Sequence, residues 1–179
     1  MEQKILKHAL EKAELIHDRS GLLHAINTMA LAIQKDLEGQ NPVFVTVMGG
    51  ALIMSGFLAL QLPFDCQFDY VHATRYRGKT SGGEITWIKK PHVDLRNRHV
   101  LIVDDILDEG RTLAAIQQCC LEMSPASLRI AVLCQKQHDR CVPGLKADYI
   151  GVQVPDRYVF GFGMDYYEQG RNLPGIYAV

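Results

Sequence analysis

Neither sign of charge is in excess in this chain: 19 Lys and Arg face 20 Asp and Glu, for a formal net charge of −1. That balance argues against a nucleic-acid backbone or an anionic membrane as the main partner, since both select a basic face. It leaves room for a local charged site. Cysteine is sparse (Cys66, Cys119, Cys120, Cys134 and Cys141), and no pair has the CxxC spacing of a zinc site. Four of the five lie within or beside apolar stretches, and no secretory signal is visible. Buried, reduced thiols in a cytoplasmic protein are therefore expected. The histidines are scattered without HExxH or paired-ligand spacing, which argues against a histidine-held structural metal. Internal repeats and low-complexity tails are also missing. What is present, 179 residues with 47% hydrophobic side chains, suits one domain spanning 1–179 with an unstapled core.

The longest uncharged run, Gln40 to Phe64, passes a crude length filter for a membrane span. Its internal pattern argues otherwise. Val43 to Val47 is β-rich, Gly49-Gly50 interrupts, and Ala51 to Leu62 has helical character, while the flanking Glu38 and Asp65 are acidic. A parallel strand buried on both faces and feeding a buried helix accounts for the same residues.

Residues 1–40 are expected to be two helices. Ile5, Leu6, Ala9, Leu10, Ala13 and Ile16 share one face, as do Leu22, Leu23, Ile26, Met29, Ala30, Ile33 and Leu37, with Arg19 to Gly21 punctuating the two. Beyond Pro42, β-type runs at 43–47, 68–74, 100–103, 128–134 and 148–154 alternate with helical stretches at 51–62 and 112–123. That order predicts an α/β fold, a central mostly parallel sheet flanked by helices. Residues 75–87 are polar and glycine-rich. They suit either an exposed hairpin tip or a mobile active-site loop.

The segment Arg98 to Leu113 carries the chemistry. Val100 to Val103 form an apolar strand, Asp104 and Asp105 stand where it is expected to end, and Asp108 to Thr112 form a turn into a helix. Ligands of open α/β sheets gather at the carboxyl ends of strands. The amides of Glu109, Gly110, Arg111 and Thr112 suit a phosphate monoester. Four of the six residues from Asp104 to Glu109 are nevertheless acidic. The conflict disappears if the acids face sugar hydroxyls and a hydrated Mg²⁺ rather than the phosphate. A strand-end acidic cluster that merely caps a helix needs neither the glycine turn nor so many acids.

The 13 residues Val100 to Thr112 resemble the phosphoribosyl-diphosphate (PRPP) motif of the type I phosphoribosyltransferases. Further pieces resemble the hypoxanthine-guanine branch of purine salvage. They are Met48-Gly49-Gly50, Arg75-Tyr76, Lys136, Pro155 to Val159 and Met164 to Arg171, so that the likeness covers roughly residues 43 to 171.

The resemblance implies a type I phosphoribosyltransferase fold with a small purine-binding hood (155–179) and a mobile loop (75–87). It also implies transfer of 5-phosphoribosyl from PRPP to N9 of hypoxanthine or guanine, giving IMP or GMP and pyrophosphate. Asp104 and Asp105 would hold the ribose hydroxyls, and the turn Asp108, Glu109, Gly110, Arg111, Thr112 the 5′-phosphate. Asp108 would be the general base at N7. Met48 and Gly49 would form the pyrophosphate loop, with a non-trans peptide between them. Lys136 would donate to O6, selecting a 6-oxopurine over adenine. Tyr158 would stack on the base and the Val159 backbone would meet its edge. Asp165 would bind Mg²⁺, together with Asp104 and Asp105, and Arg171 would meet the departing pyrophosphate. The Arg75-Tyr76 loop would close over the site. A homodimer or homotetramer is expected from the resemblance and the uncharged 40–64 segment, with no nucleic-acid or membrane partner.

Two positions depart from the family pattern: relatives often carry lysine at the place of Met48 and serine at that of Arg75. Arg75 is expected to restore the lost charge. A xanthine-preferring enzyme, a PRPP-fold nucleotide-binding regulator and a redox protein using Cys119-Cys120 are the competing readings. The regulator needs a basic face, and adjacent cysteines on one helix are poorly placed to bridge.

Overall fold

The structure, a computed structural model, describes residues 2–75 and 85–179. In chain order the elements are α1 (Glu2–Leu10), β1 (Glu14–His17), α2 (Arg19–Leu37), β2 (Val43–Met48), α3 (Leu52–Ala59), β3 (Gln67–Arg75), β4 (Ile85–Lys89), β5 (His99–Leu107), α4 (Arg111–Leu121), β6 (Ser127–Lys136), β7 (Tyr149–Val154), β8 (Val159–Phe160) and β9 (Ile176–Ala178). The larger sheet has the order β4-β3-β2-β5-β6-β7. Strands β3, β2, β5, β6 and β7 are parallel, and β4 is an antiparallel edge. This is the expected α/β architecture.

Successive strand residues serve opposite cores. Phe44, Leu101, Val103, Ala131 and Leu133 pack with Leu22, Ile26, Ile33 and Met54 of α2 and α3. Val43, Val45, Val100, Ile102, Ile130 and Val132 pack with Leu113, Ile116 and Cys120 of α4. A strand covered on both faces is apolar nearly throughout, which is why Val43 to Val47 is broken only by the buried Thr46 and Val100 to Val103 is not broken at all. The uncharged 40–64 segment is accordingly strand, turn and helix. No helix among the described residues is long and apolar enough to cross a membrane.

Four expectations need correction. Glu14–His17 is a strand rather than the end of a first helix: it pairs antiparallel with β9, Glu14 opposite Ala178 and Leu15 opposite Tyr177. Helical spacing at Ala13 and Ile16 was a local signal, and a partner from the other end of the chain overrides it. Arg19 to Gly21 lie inside the first turn of α2. Asp18 is the N-cap, with its carboxylate accepting the Gly21 N–H at 2.8 Å.

Strand β5 runs on past Asp104 and Asp105 to Leu107, because β6 continues beside it as far as the Leu107–Gln135 pair. Finally, the polar stretch 75–87 loses its ends to structure, since Arg75 pairs with Ile85 across the β3–β4 hairpin. Tyr76 lies outside the described residues, as does the rest of 76–84 and the side chain of Arg75.

A second sheet, β1-β9-β8, forms a small antiparallel layer from both ends of the chain. The hood expected from 155–179 therefore also contains 14–17.

Candidate active site

In-register parallel strands deliver their following segments side by side. Because Ile106 lies opposite Cys134 and Leu107 opposite Gln135, Asp108 emerges beside Lys136 at the carboxyl end of the sheet. The Lys136 ammonium donates to Asp108 Oδ2 at 2.6 Å, and His138 Nε2 meets Asp108 Oδ1 at 2.6 Å. Partial burial pushes the Asp108 carboxyl up. Hydrogen bonds from Lys136 and His138, with the Lys136 charge, outweigh that and hold it below its ordinary value. A carboxylate so held is ionised at neutral pH and able to take a proton.

Asp104 and Asp105 stand four and three residues before Asp108, still within β5. Asp104 is buried at 8% exposure, and its carboxylate accepts the Asp105 N–H at 2.9 Å. Burial pushes both carboxyls up, Asp104 further because the neighbouring Asp105 charge adds to it. For Asp105, the Asp104 hydrogen bond and the Arg171 guanidinium pull back. Two adjacent desolvated acids favour a ligand that brings hydroxyl donors or positive charge. Gly50 makes room for Asp105: a Cβ there would lie 2.5 Å from Asp105 Cγ and 3.0 Å from Oδ1.

The turn after Asp108 is built on Gly110, the N-cap of α4, whose φ of +76° favours glycine. A side chain at Gly110 would also overlap Leu145 and Leu107. The turn aims the first amides of an 11-residue helix outward, as an anion site requires. Arg111 Nε lies 3.1 Å from Glu109 Oε2, so the Glu109 charge is engaged locally.

The remaining predicted residues arrive from the hood. Its Gly163 packs on the β2–α3 loop, where a Cβ would overlap the Gly50 carbonyl oxygen. Arg171 donates to the Gly163 carbonyl and to Asp165 Oδ1, each at 2.7 Å. The Glu168 N–H occupies Asp165 Oδ2 at 2.9 Å. Met48–Gly49 is a cis peptide, as the resemblance implied. Tyr158 is exposed, packs edge-on against Tyr166 at 5.3 Å, and donates from its hydroxyl to the Asp165 carbonyl at 3.3 Å. Val159 is buried and pairs with Ala178.

Magnesium is the cofactor the resemblance implies. Among the described residues no three carboxylate, imidazole or thiol groups converge on one metal position. Asp104 and Asp105 offer their carboxylate oxygens from β5, and Asp165 offers its own from the hood. The oxygen-only donors still fit Mg²⁺, which commonly keeps its waters and binds through one or two carboxylates plus substrate phosphates.

Sequence reasoning misses His138. It belongs to a scattered set of histidines, and only the β5–β6 register brings it to Asp108, 30 residues away. The dense polar run Lys136 to Arg140, directly after an apolar strand, was the one signal that could have flagged it. The cysteines are all free, but only Cys120 and Cys134 are fully buried, whereas Cys66, Cys119 and Cys141 are partly exposed; burial pushes up the thiols of Cys66, Cys119, Cys120 (to about 12) and Cys134.

Comparison with known proteins agrees with this geometry. Residues 12–169 match the phosphoribosyl transferase domain. A hypoxanthine-guanine phosphoribosyltransferase of Streptococcus mutans is 33% identical over 179 residues, covering 98% of this chain and 94% of that protein. A hypoxanthine-guanine-xanthine phosphoribosyltransferase of Tritrichomonas foetus is 32% identical over 162 residues, covering 90% and 88%. The crystal structure of a hypoxanthine-guanine phosphoribosyltransferase from Bacillus anthracis superposes with a TM-score of 0.86 at 29% identity, covering 93% of this chain and 98% of that one. The paired acids of β5, the glycine turn into α4 and the Lys136–Asp108 contact thus sit in a known frame, and the chain belongs to the phosphoribosyltransferases, in the hypoxanthine-guanine family of purine salvage.

Proposed function

We propose that this enzyme moves the 5-phosphoribosyl group of PRPP to N9 of hypoxanthine or guanine, with Asp108 receiving the purine proton. The observation that carries the assignment is the Asp108 carboxylate, held ionised between Lys136 and His138 at the end of the strand that also bears Asp104 and Asp105. In this reading Lys136 leaves Asp108 Oδ2 for O6 of the base, which frees that oxygen for the N7 proton. Adenine presents an amino group at the same place and leaves the ammonium opposed by a donor.

Asp104 and Asp105 accept hydrogen bonds from the ribose hydroxyls, and the Glu109 to Thr112 amides hold the 5′-phosphate. Tyr158 covers the base and the Val159 backbone meets its edge. As the C1′–oxygen bond breaks, negative charge grows on pyrophosphate beside Met48, Gly49 and Arg171. Asp165, Asp104 and Asp105 would hold a magnesium ion, which would supply neutralisation of that charge. Assembly into a dimer or tetramer is supported by exposed Leu52 and Leu60 at the two ends of α3, 57% and 85% accessible, and sedimentation velocity tests it.

The decisive assay is pyrophosphate release from PRPP and Mg²⁺ with hypoxanthine, guanine, xanthine and adenine in parallel. Hypoxanthine or guanine is expected to lead. Asp108→Asn is expected to lower kcat by roughly 100-fold with little change in PRPP KM. Adenine as best substrate, or an equal loss in both parameters, would overturn the assignment of roles. RNA binding that falls with salt, without transferase activity, would favour a regulator instead.

A further inference from the structure

We infer that His138 is a positioning residue for the base: by donating from Nε2 to Asp108 Oδ1, it fixes the carboxylate so that Oδ2 is the oxygen presented to purine N7. This rests on Asp108 being the proton acceptor.

The geometry is specific. The His138 side chain is only 3% exposed, whereas that of Asp108 is 41% exposed. The backbone N–H of Arg140 donates to His138 Nδ1 at 3.1 Å. An imidazole nitrogen that accepts carries no proton, so Nε2 bears the hydrogen and is the donor to Asp108. The ring is thereby fixed at both nitrogens. Its surroundings hold it there: Arg140, two residues on, makes a two-pronged pair with Asp156 at 2.8 and 2.7 Å. The charged groups facing His138 are Asp108 from the end of β5, Lys136 and the Asp139–Arg140 pair on its own segment, and Asp156 after β7.

The need for such a group follows from Lys136. While Lys136 donates to Oδ2, Asp108 has a partner on each oxygen. Once Lys136 turns to O6, a half-exposed aspartate would be free to rotate about its last bond. His138 is then its remaining fixed donor, on the oxygen away from the purine. A proton acceptor is effective only when its lone pair stays in line with the proton.

The test compares His138→Gln, His138→Asn and His138→Phe by pH profiles of kcat and of kcat/KM for hypoxanthine, alongside Asp108→Asn. Glutamine reaches an N–H to about the place of Nε2; asparagine is too short and phenylalanine has no donor. His138→Asn and His138→Phe are expected to lower kcat by about tenfold, with PRPP KM within about twofold of wild type. Their acid limb is expected to move to higher pH, because Asp108 has lost one of the two donors that hold its carboxyl down. His138→Gln is expected to stay within about threefold of wild type. The Gln and Asn variants have the same amide chemistry, so their contrast stands even where the Phe variant fails to fold. Gln and Asn behaving alike, whether both active or both impaired, would overturn the inference. Were Asp108→Asn as active as wild type, the role of Asp108 itself would fall; were Asp108→Asn impaired while Gln and Asn matched, only the role of His138 would.

Discussion

Asp69 is the carboxylate on which the fold beside the site depends most visibly, and replacing it with alanine gives a stability change that can be worked from the structure. Its side chain, 5% exposed on β3, accepts the Lys89 ammonium at 2.6 Å and the backbone N–H groups of Tyr70, His92 and Val93 at 2.7, 2.5 and 2.9 Å. It thereby ties the chain that returns from edge strand β4 back to β3. A hydrogen bond to a charged group contributes about 1.5–3 kcal/mol, and a buried donor left alone costs about 1–3 kcal/mol. Tyr70 and His92 can turn to water, so the Lys89 and Val93 bonds dominate, and Asp69→Ala is expected to cost about 3 kcal/mol.

In a chain of this length that corresponds to a fall in Tm of roughly 6–12 °C. The pH dependence follows in sign. Burial opposes ionisation of Asp69, but Lys89 and the three backbone donors outweigh it and hold its carboxyl below the usual range. Its stabilisation is thus fully present above the unfolded carboxylate pKa and is lost as pH falls through the lower folded value. Urea unfolding of wild type and Asp69→Ala should show a constant difference above about pH 5 that shrinks in the acid range. A Tm change under about 2 °C at pH 7, or a gap that widens as pH falls, would refute the reasoning.

Three further perturbations probe the site and its frame. Gly50→Ala places a methyl 2.5 Å from Asp105 Cγ; displacing that carboxylate should raise PRPP KM by about tenfold or more, and an unchanged KM in steady-state kinetics would show that Asp105 is not held for PRPP. Lys136→Met removes the donor proposed for O6, so the hypoxanthine-to-adenine ratio of kcat/KM should fall by roughly 100-fold or more; an unchanged ratio would mean that selectivity lies elsewhere. Asp18→Ala deletes the cap of α2 and should cost about 1 kcal/mol in urea unfolding; no loss would mean that water replaces the cap.

Edge strand β4 apart, the order of strands and helices from Val43 to Val154 was legible in the sequence because each of those elements is buried in a way that marks its own residues. A strand covered on both faces is apolar nearly throughout, as Val100 to Val103 is without exception and Val43 to Val47 is but for the buried Thr46. A helix over a sheet must keep one face apolar, as Leu113, Ile116 and Cys120 do. The elements that were missed lack that signature. Edge strand β4 alternates half-buried and exposed residues beside a polar loop. Strand β1 is only four residues long and takes its conformation from β9, at the far end of the chain.

The PRPP motif has the same local legibility, since its strand, acids and glycine turn are contiguous. The sequence by itself thus determined the α/β class, the family and the acids and turn that a sugar phosphate needs. Only the tertiary structure decided which distant groups meet them. Lys136 and His138 reach Asp108 through the β5–β6 register, and Arg171 and Asp165 arrive when the hood packs Gly163 on Gly50. Contiguous chemistry is written in neighbouring residues, whereas a hydrogen bond across 28 or 30 residues depends on how strands pair and layers pack.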